Sequence, residues 1–159
     1  MYSELEQKAI NEKLEQLRKI KRGILLVQEL ADSISERRVK WIRENLDEML
    51  AKYGKFSPEE QAFRIIYFDH MKINPQHSKM IRVSPTKIRV DSWNFCPYLE
   101  ACVQLGLDTR HICKEIGEPA IQKMTAVINP NLKFGRNYGN LRPYVSYCEE
   151  YFELAPKQP

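Results

Sequence analysis

Apolar side chains recur at spacings of three and four near the start of the chain: Leu17, Ile20, Ile24, Val27, Ala31 and Ile34. That period predicts helix over residues 3–53, with a seam like that of a coiled coil. The seam slips by one position and resumes at Val39, Ile42, Leu46 and Met49. At the slip, Ser33 followed by Glu36 is a capping-box signature, so a second helix is expected to start there. Gly23 is the weak point of the first stretch, because glycine inside a helix costs about 1 kcal/mol against alanine. Two arrangements fit the seam: an antiparallel hairpin packed on its own domain, or a dimerisation element joining two copies through the N-terminal helices.

Gly54 follows the last periodic residue, where a helix ends readily. Ser57, Pro58 and Glu60 then read as an N-cap, a first-turn proline and a capping partner, opening a helix that runs to about Met71. After "NPQH" the period changes from helical to two. "KMIRVS" and "TKIRVDSW" alternate apolar and polar residues around the turn "SPT", which predicts a β-hairpin. Helical pattern returns at Pro97 and stops at Gly106. Asp108 caps a further helix, "GEP" is expected to break it, and Pro119 opens one ending near Ile128. The tail predicts a second hairpin with strands at about 131–138 and 144–154, joined through Gly139-Asn140. The order helices, hairpin, helices, hairpin points to an α+β fold with an antiparallel sheet. Residues 1–54 read as a helical extension and residues 55–159 as the α+β domain.

Composition sharpens this picture only in part. Hydrophobic residues make up 43% and charged residues 29% of the 159, enough for a real core. The 25 Lys and Arg against 21 Asp and Glu leave a net charge of +4. The basic stretches at 18–22 and 37–43 read as solvated helix faces, since nucleic-acid binders gather more positive charge on one face. A nucleic-acid partner is therefore not expected. The longest apolar run near the start, "ILLV", is too short to cross a bilayer. A cytoplasmic location with no membrane partner is the expectation, and there four cysteines would stay reduced.

Three of those cysteines, Cys96, Cys102 and Cys113, fall between Trp93 and Pro119 together with His111. Cys96 precedes Pro97 and so stands at the N-cap of a helix. Unpaired backbone N–H groups and the helix dipole favour a thiolate at that position. It is accordingly the candidate catalytic nucleophile, with His111 or His70 as the base. Against this stands the plain alternative that Cys96 is a small packed side chain. Cys102, flanked by Leu99, Val103 and Leu105, reads as core. No C-x-x-C pair is present, so the usual structural zinc pattern is missing. A metal site, with zinc as its ion, remains open through Cys96, Cys113 and Cys148 brought together across the fold; no cofactor is otherwise required. Arg136 or Arg142 is placed to hold a ligand carboxylate through a bidentate contact. Tyr147 belongs to an aromatic stripe that lines either a pocket or the sheet core.

From Cys96 to Phe152 the sequence resembles the L-2-amino-thiazoline-4-carboxylate hydrolase-like family. The resemblance is carried by "CPYLEACVQLGLD", "HICK", "NPNLKFGRNY" and "YCEEYF". More distantly it is similar to vinyl-reductase-type small-molecule-binding domains, which place cysteines near the same hairpin and can hold zinc. It departs from the family where "LRPYVSYC" sets Pro143 and Tyr144 in place of a glycine ahead of the late cysteine. The resemblance implies a hydrolase-like domain with a ligand pocket, cleaving a cyclic C–N bond in a thiazoline-type substrate through Cys96. The alternative is a non-catalytic module that senses or binds a small ligand.

Overall fold

The computed structural model describes residues 1–156. It is an α+β fold, with N-terminal helices followed by a four-stranded antiparallel sheet. Helix α1 spans Glu4–Lys21 and α2 spans Val27–Lys52. Their joint lies at Gly23, ten residues before the expected capping box. Gly23 sits at φ +72, a left-handed conformation that favours glycine, and Ile24 N–H bonds back to the Lys19 carbonyl to close the helix. Ser33 and Glu36 are interior residues of α2. The seam breaks with the helix: Ile24 is 69% exposed, whereas Leu17, Ala31 and Ile34 are buried within the chain.

Helix α3, Pro58–Arg64, widens into a π-type stretch at Ile65–His70. Ser57 is its N-cap but does not bond to the backbone; its hydroxyl accepts from Arg82 instead. A short 3-10 turn, Pro75–His77, leads into β1, Ser78–Ser84, and β2, Lys87–Ser92. Helix α4 spans Pro97–Leu105 and stops at Gly106, whose φ of +65 is again left-handed. Asp108 caps α5, Thr109–Ile112, by accepting from Arg110 N–H. "GEP" does not break the chain there. A second π-type stretch, Cys113–Gly117, carries α5 straight into α6, Glu118–Ile128. Strands β3, Leu132–Asn137, and β4, Cys148–Leu154, complete the fold. β4 begins four residues later than the alternation suggests, because residues 138–147 form the connection.

The sheet order is β1-β2-β4-β3, so the two hairpins join through β2 and β4. Ile88 pairs with Phe152, Val90 with Glu150 and Ser92 with Cys148; on the other side Phe134 pairs with Phe152 and Arg136 with Glu150. Since side chains alternate across a strand, these positions share the face covered by helices. One end of that face is hydrocarbon: Ile88, Phe134 and Phe152 join Tyr67, Ile121 and Met124 in the larger core cluster. The other end carries Ser92, Cys148, Glu150 and Arg136. A second cluster holds α1 and α2 against α4 and α6, through Ile10, Leu17, Ile34, Ala101 and Ile116. Residues 1–54 contribute to both clusters.

Candidate functional site

Where the polar end of the sheet's inner face meets α4, α5 and the two π-type stretches, the packing leaves a cavity of about 90 Å³. Its floor is Ser92, Cys148, Glu150 and Arg136, its walls come from Tyr67, Met71, Tyr98, Ile112 and Ile121, and Arg142 closes it from the β3–β4 connection. All four cysteines line it. Cys96 ends the extended segment before α4, Cys102 lies one and a half turns along that helix, and Cys113 opens the second π-type stretch. Such stretches often mark functional positions, because the extra residue per turn pushes a side chain out of register. A larger hollow along α2 is a different kind of surface. It is open to solvent and bordered mainly by charged side chains such as Asp32, Glu36, Lys40 and Arg43.

Among the described residues, several polar atoms of the cavity-lining side chains lack partners. Tyr67 Oη, Tyr98 Oη, Arg136 Nε and Glu150 Oε2 are buried without a hydrogen bond. Arg136 Nη2 and Glu150 Oε1 stand 4.0 Å apart, beyond hydrogen-bond reach. Each unpaired buried group costs about 1–3 kcal/mol, so this many in one cavity is a strong departure from ordinary packing. Arg142 is better served: its Nε donates to Cys148 Sγ at 3.3 Å and its Nη1 to the Asn94 carbonyl. Thr109 fixes the same loop by donating to the Arg142 carbonyl at 2.8 Å.

Burial sets the ionisation of the site. It pushes the Cys113 thiol up to about 11, with Arg136 pulling the other way, and the Cys102 thiol up to about 12. Burial also raises the Glu150 carboxyl from 4.5 to about 8, so at neutral pH it is largely protonated and able to donate.

The predicted site residues divide. Cys96, Cys113, Cys148, Arg136 and Arg142 come together around the cavity. His111 does not: it is exposed on α5 and lines no part of the cavity. The two-residue spacing from Cys113 turns it to another side of the helix. His70 is half-buried against Trp41, ring centroids 4.9 Å apart, and is also outside the lining. Tyr147 lies in the connection before β4 beneath Arg89, whose guanidinium carbon is 5.9 Å from its ring centroid. The metal site does not fit the arrangement. Among the described residues no three His, Cys, Asp or Glu side chains approach closely enough to hold one ion, although Cys96, Cys113 and Cys148 share the cavity. Cys96 does occupy the N-cap of α4, with its sulfur making no cap hydrogen bond.

Tyr67, Tyr98 and Glu150 are cavity-lining positions that the sequence did not single out. The signal for Glu150 was there: it lies two residues from both Cys148 and Phe152, on the same strand face. For the tyrosines, only the fold brings a π-type stretch and a helix N-terminus to one cavity.

No family model matches the chain, and no curated protein sequence matches it. Among solved structures the fold is similar to a trafficking protein particle complex subunit 3 from Naegleria fowleri, determined covalently bound to palmitic acid. The likeness has a TM-score of 0.53 at 12% identity and covers 95% of each chain. It is a likeness of fold. The hydrolase expectation is corrected by it: the structure sharing this architecture over 95% of each chain is a trafficking-complex subunit. The local geometry agrees, because Cys96 has neither His111 nor His70 beside it in the cavity. Among the described residues no helix is long and apolar enough to cross a membrane.

Proposed function

We propose that the chain is a non-catalytic module that holds a small, largely apolar ligand in the cavity between the sheet and helices α4 and α5. The observation that carries this is the concentration of unpartnered polar atoms, on Tyr67, Tyr98, Arg136 and Glu150, around a space whose remaining lining is mainly hydrocarbon and thiols, with Ser92, Asn94, Thr109 and Arg142. Ligand sites have that composition: apolar walls with a few convergent polar groups that fix orientation. The raised thiols of Cys102 and Cys113 are poor nucleophiles at neutral pH, in keeping with binding rather than turnover. The solved structure of similar fold carries an acyl chain, which supports an apolar ligand for this fold.

Size narrows the choice. A water molecule needs about 10–15 Å³ measured in this way, so about 90 Å³ takes a compact ligand several heavy atoms across. An extended sixteen-carbon chain needs the walls to open. The test is thermal denaturation of the full chain with hexanamide and octanamide, compact neutral amphiphiles. A dose-dependent rise in Tm with hexanamide is expected, abolished in Cys113→Phe, whose ring fills the cavity. An unchanged Tm with both probes, or an equal rise in the variant, contradicts the proposal.

A further inference from the structure

Behind the Tyr98–Met71 side of the cavity, cations gather without carboxylates. Lys13 of α1 is 8% exposed, and its Nζ lies 4.6 Å from the centroid of the Tyr98 ring. Among the described residues its only side-chain hydrogen bond is a long one to Gln16 Oε1, at 3.4 Å. Arg38 of α2 is half-buried, and among the described residues its one polar contact is with the Met71 sulfur, 3.8 Å from Nη1. Neither cation, nor the neighbouring Arg37, has a carboxylate within ion-pair distance among the described residues. Other arginines do meet carboxylates closely. Arg82 meets Glu59 and Glu60, and Arg89 meets Asp91 and Glu149.

Buried cations are ordinarily paired, because an unpaired charge out of water is expensive. The strain shows in the neighbours. Burial lowers Lys13 to about 8, with Arg37 and Arg38 adding to the shift, while Glu12 and Cys96 oppose it. His70 is lowered to about 4 by burial, then by Arg38, Arg37 and Lys72. The Tyr98 hydroxyl, which belongs to the cavity lining, is buried there with no acceptor. Lys13 over the Tyr98 ring and Arg38 against the Met71 sulfur thus stand directly behind two side chains of the cavity wall, without lining it themselves.

We infer that this side of the cavity is an anion subsite, formed by Lys13, Arg38 and the Tyr98 hydroxyl, and that the ligand carries an oxyanion such as a carboxylate on its compact apolar body. The inference rests on the cavity being a ligand site and adds the ligand's charge and its orientation. The apolar body lies toward Ile112 and Ile121, and the oxyanion toward α1 and α2. An oxyanion there supplies the acceptor that Tyr98 lacks and the countercharge that Lys13 and Arg38 lack.

The experiment compares hexanoate with hexanamide, matched in size and different in charge, by calorimetry on the full chain at neutral pH. Hexanoate is expected to bind about tenfold tighter or better, the worth of one charge-assisted hydrogen bond. In Arg38→Met and in Lys13→Met, which keep much of the aliphatic packing, that ratio falls to about one. Equal affinities in the unmodified protein overturn the anion subsite and leave the cavity standing; binding of neither probe overturns both. A preference that survives in both variants places the anion elsewhere and overturns the assignment. Amide spectra of the unmodified protein give a readout independent of the variants' folding. The difference between hexanoate and hexanamide is expected at Lys13, Arg38 and Tyr98, and a difference confined to the Arg142 side overturns the subsite.

Discussion

Four cysteines share one cavity, yet they are not equivalent. Cys102 and Cys113 have thiols raised by burial to about 12 and 11, so both are neutral across the physiological range. Cys148 is buried, whereas Cys96 is half-exposed at the start of α4. Iodoacetamide at neutral pH is therefore expected to label Cys96 first in the folded chain, with Cys102 and Cys113 unmodified until the protein unfolds. Peptide mass spectrometry reads the order, and early labelling of Cys113 contradicts it. Glu150 gives a second test. Its carboxyl rises from 4.5 to about 8 on folding. A raised pKa means that the folded state holds the proton more tightly, so the associated stability is present below pH 4.5 and lost as pH climbs through 8. Glu150→Gln keeps the shape without the ionisation. It is expected to raise stability at pH 8 by on the order of a few kcal/mol and to leave pH 4 nearly unchanged. Identical pH profiles for the two proteins contradict this. At this scale the sequence was partly legible. The proline after Cys96 marked the cap, whereas period-two alternation grouped Cys148 with Glu150 and Phe152 without telling which face turns inward. It could not distinguish His111 from Cys113 as the inward residue, since a two-residue spacing says only that they diverge.

Element boundaries were legible where one residue dominates the local energetics. Gly106 and Asp108 end and start helices where expected, by a left-handed φ and a side-chain cap. The α1–α2 joint was misplaced because two signals competed. Ser33 and Glu36 carry the right spacing for a cap, but the backbone turns at Gly23, and α2 is held as one helix by packing on α6 and the π-type stretch before it. The π-type stretches had no sequence signature, because widening a helix by one residue per turn depends on what it packs against. Arg82 on β1 is the clearest tie between elements. It donates to Glu59 Oε1 at 2.8 Å and Glu60 Oε1 at 3.0 Å, and also to Ser57 and the Ser84 carbonyl. Glu59 is only 1% exposed, so removing Arg82 strands a buried carboxylate. Arg82→Ala is expected to destabilise the chain by about 2–3 kcal/mol, less than a wholly buried pair because Arg82 itself is part-exposed. Urea denaturation measures it, and a loss below about 0.5 kcal/mol, typical of a surface substitution, contradicts the role.

For the whole molecule, an α+β fold with two hairpins followed from the order of periods along the chain. Its consequence did not. The register that pairs Arg136 with Glu150 and Ser92 with Cys148 places polar side chains at one end of a hydrocarbon face, and among the described residues Arg136 Nε and Glu150 Oε2 find no partner there. That mismatch between a core-like location and unpaired polar atoms is the basis of the ligand site we propose there. It also explains why a cysteine-rich segment suggested chemistry when read in one dimension: the thiols are lining, held apart around a cavity rather than aligned with a base. The most direct measurement is a crystal structure of the chain with hexanamide diffused in. Density for the amide is expected inside the cavity, within hydrogen-bond distance of at least one of Tyr67, Tyr98, Arg136 and Glu150. Density only in the open hollow along α2, or none at a concentration that saturates binding in solution, contradicts the account.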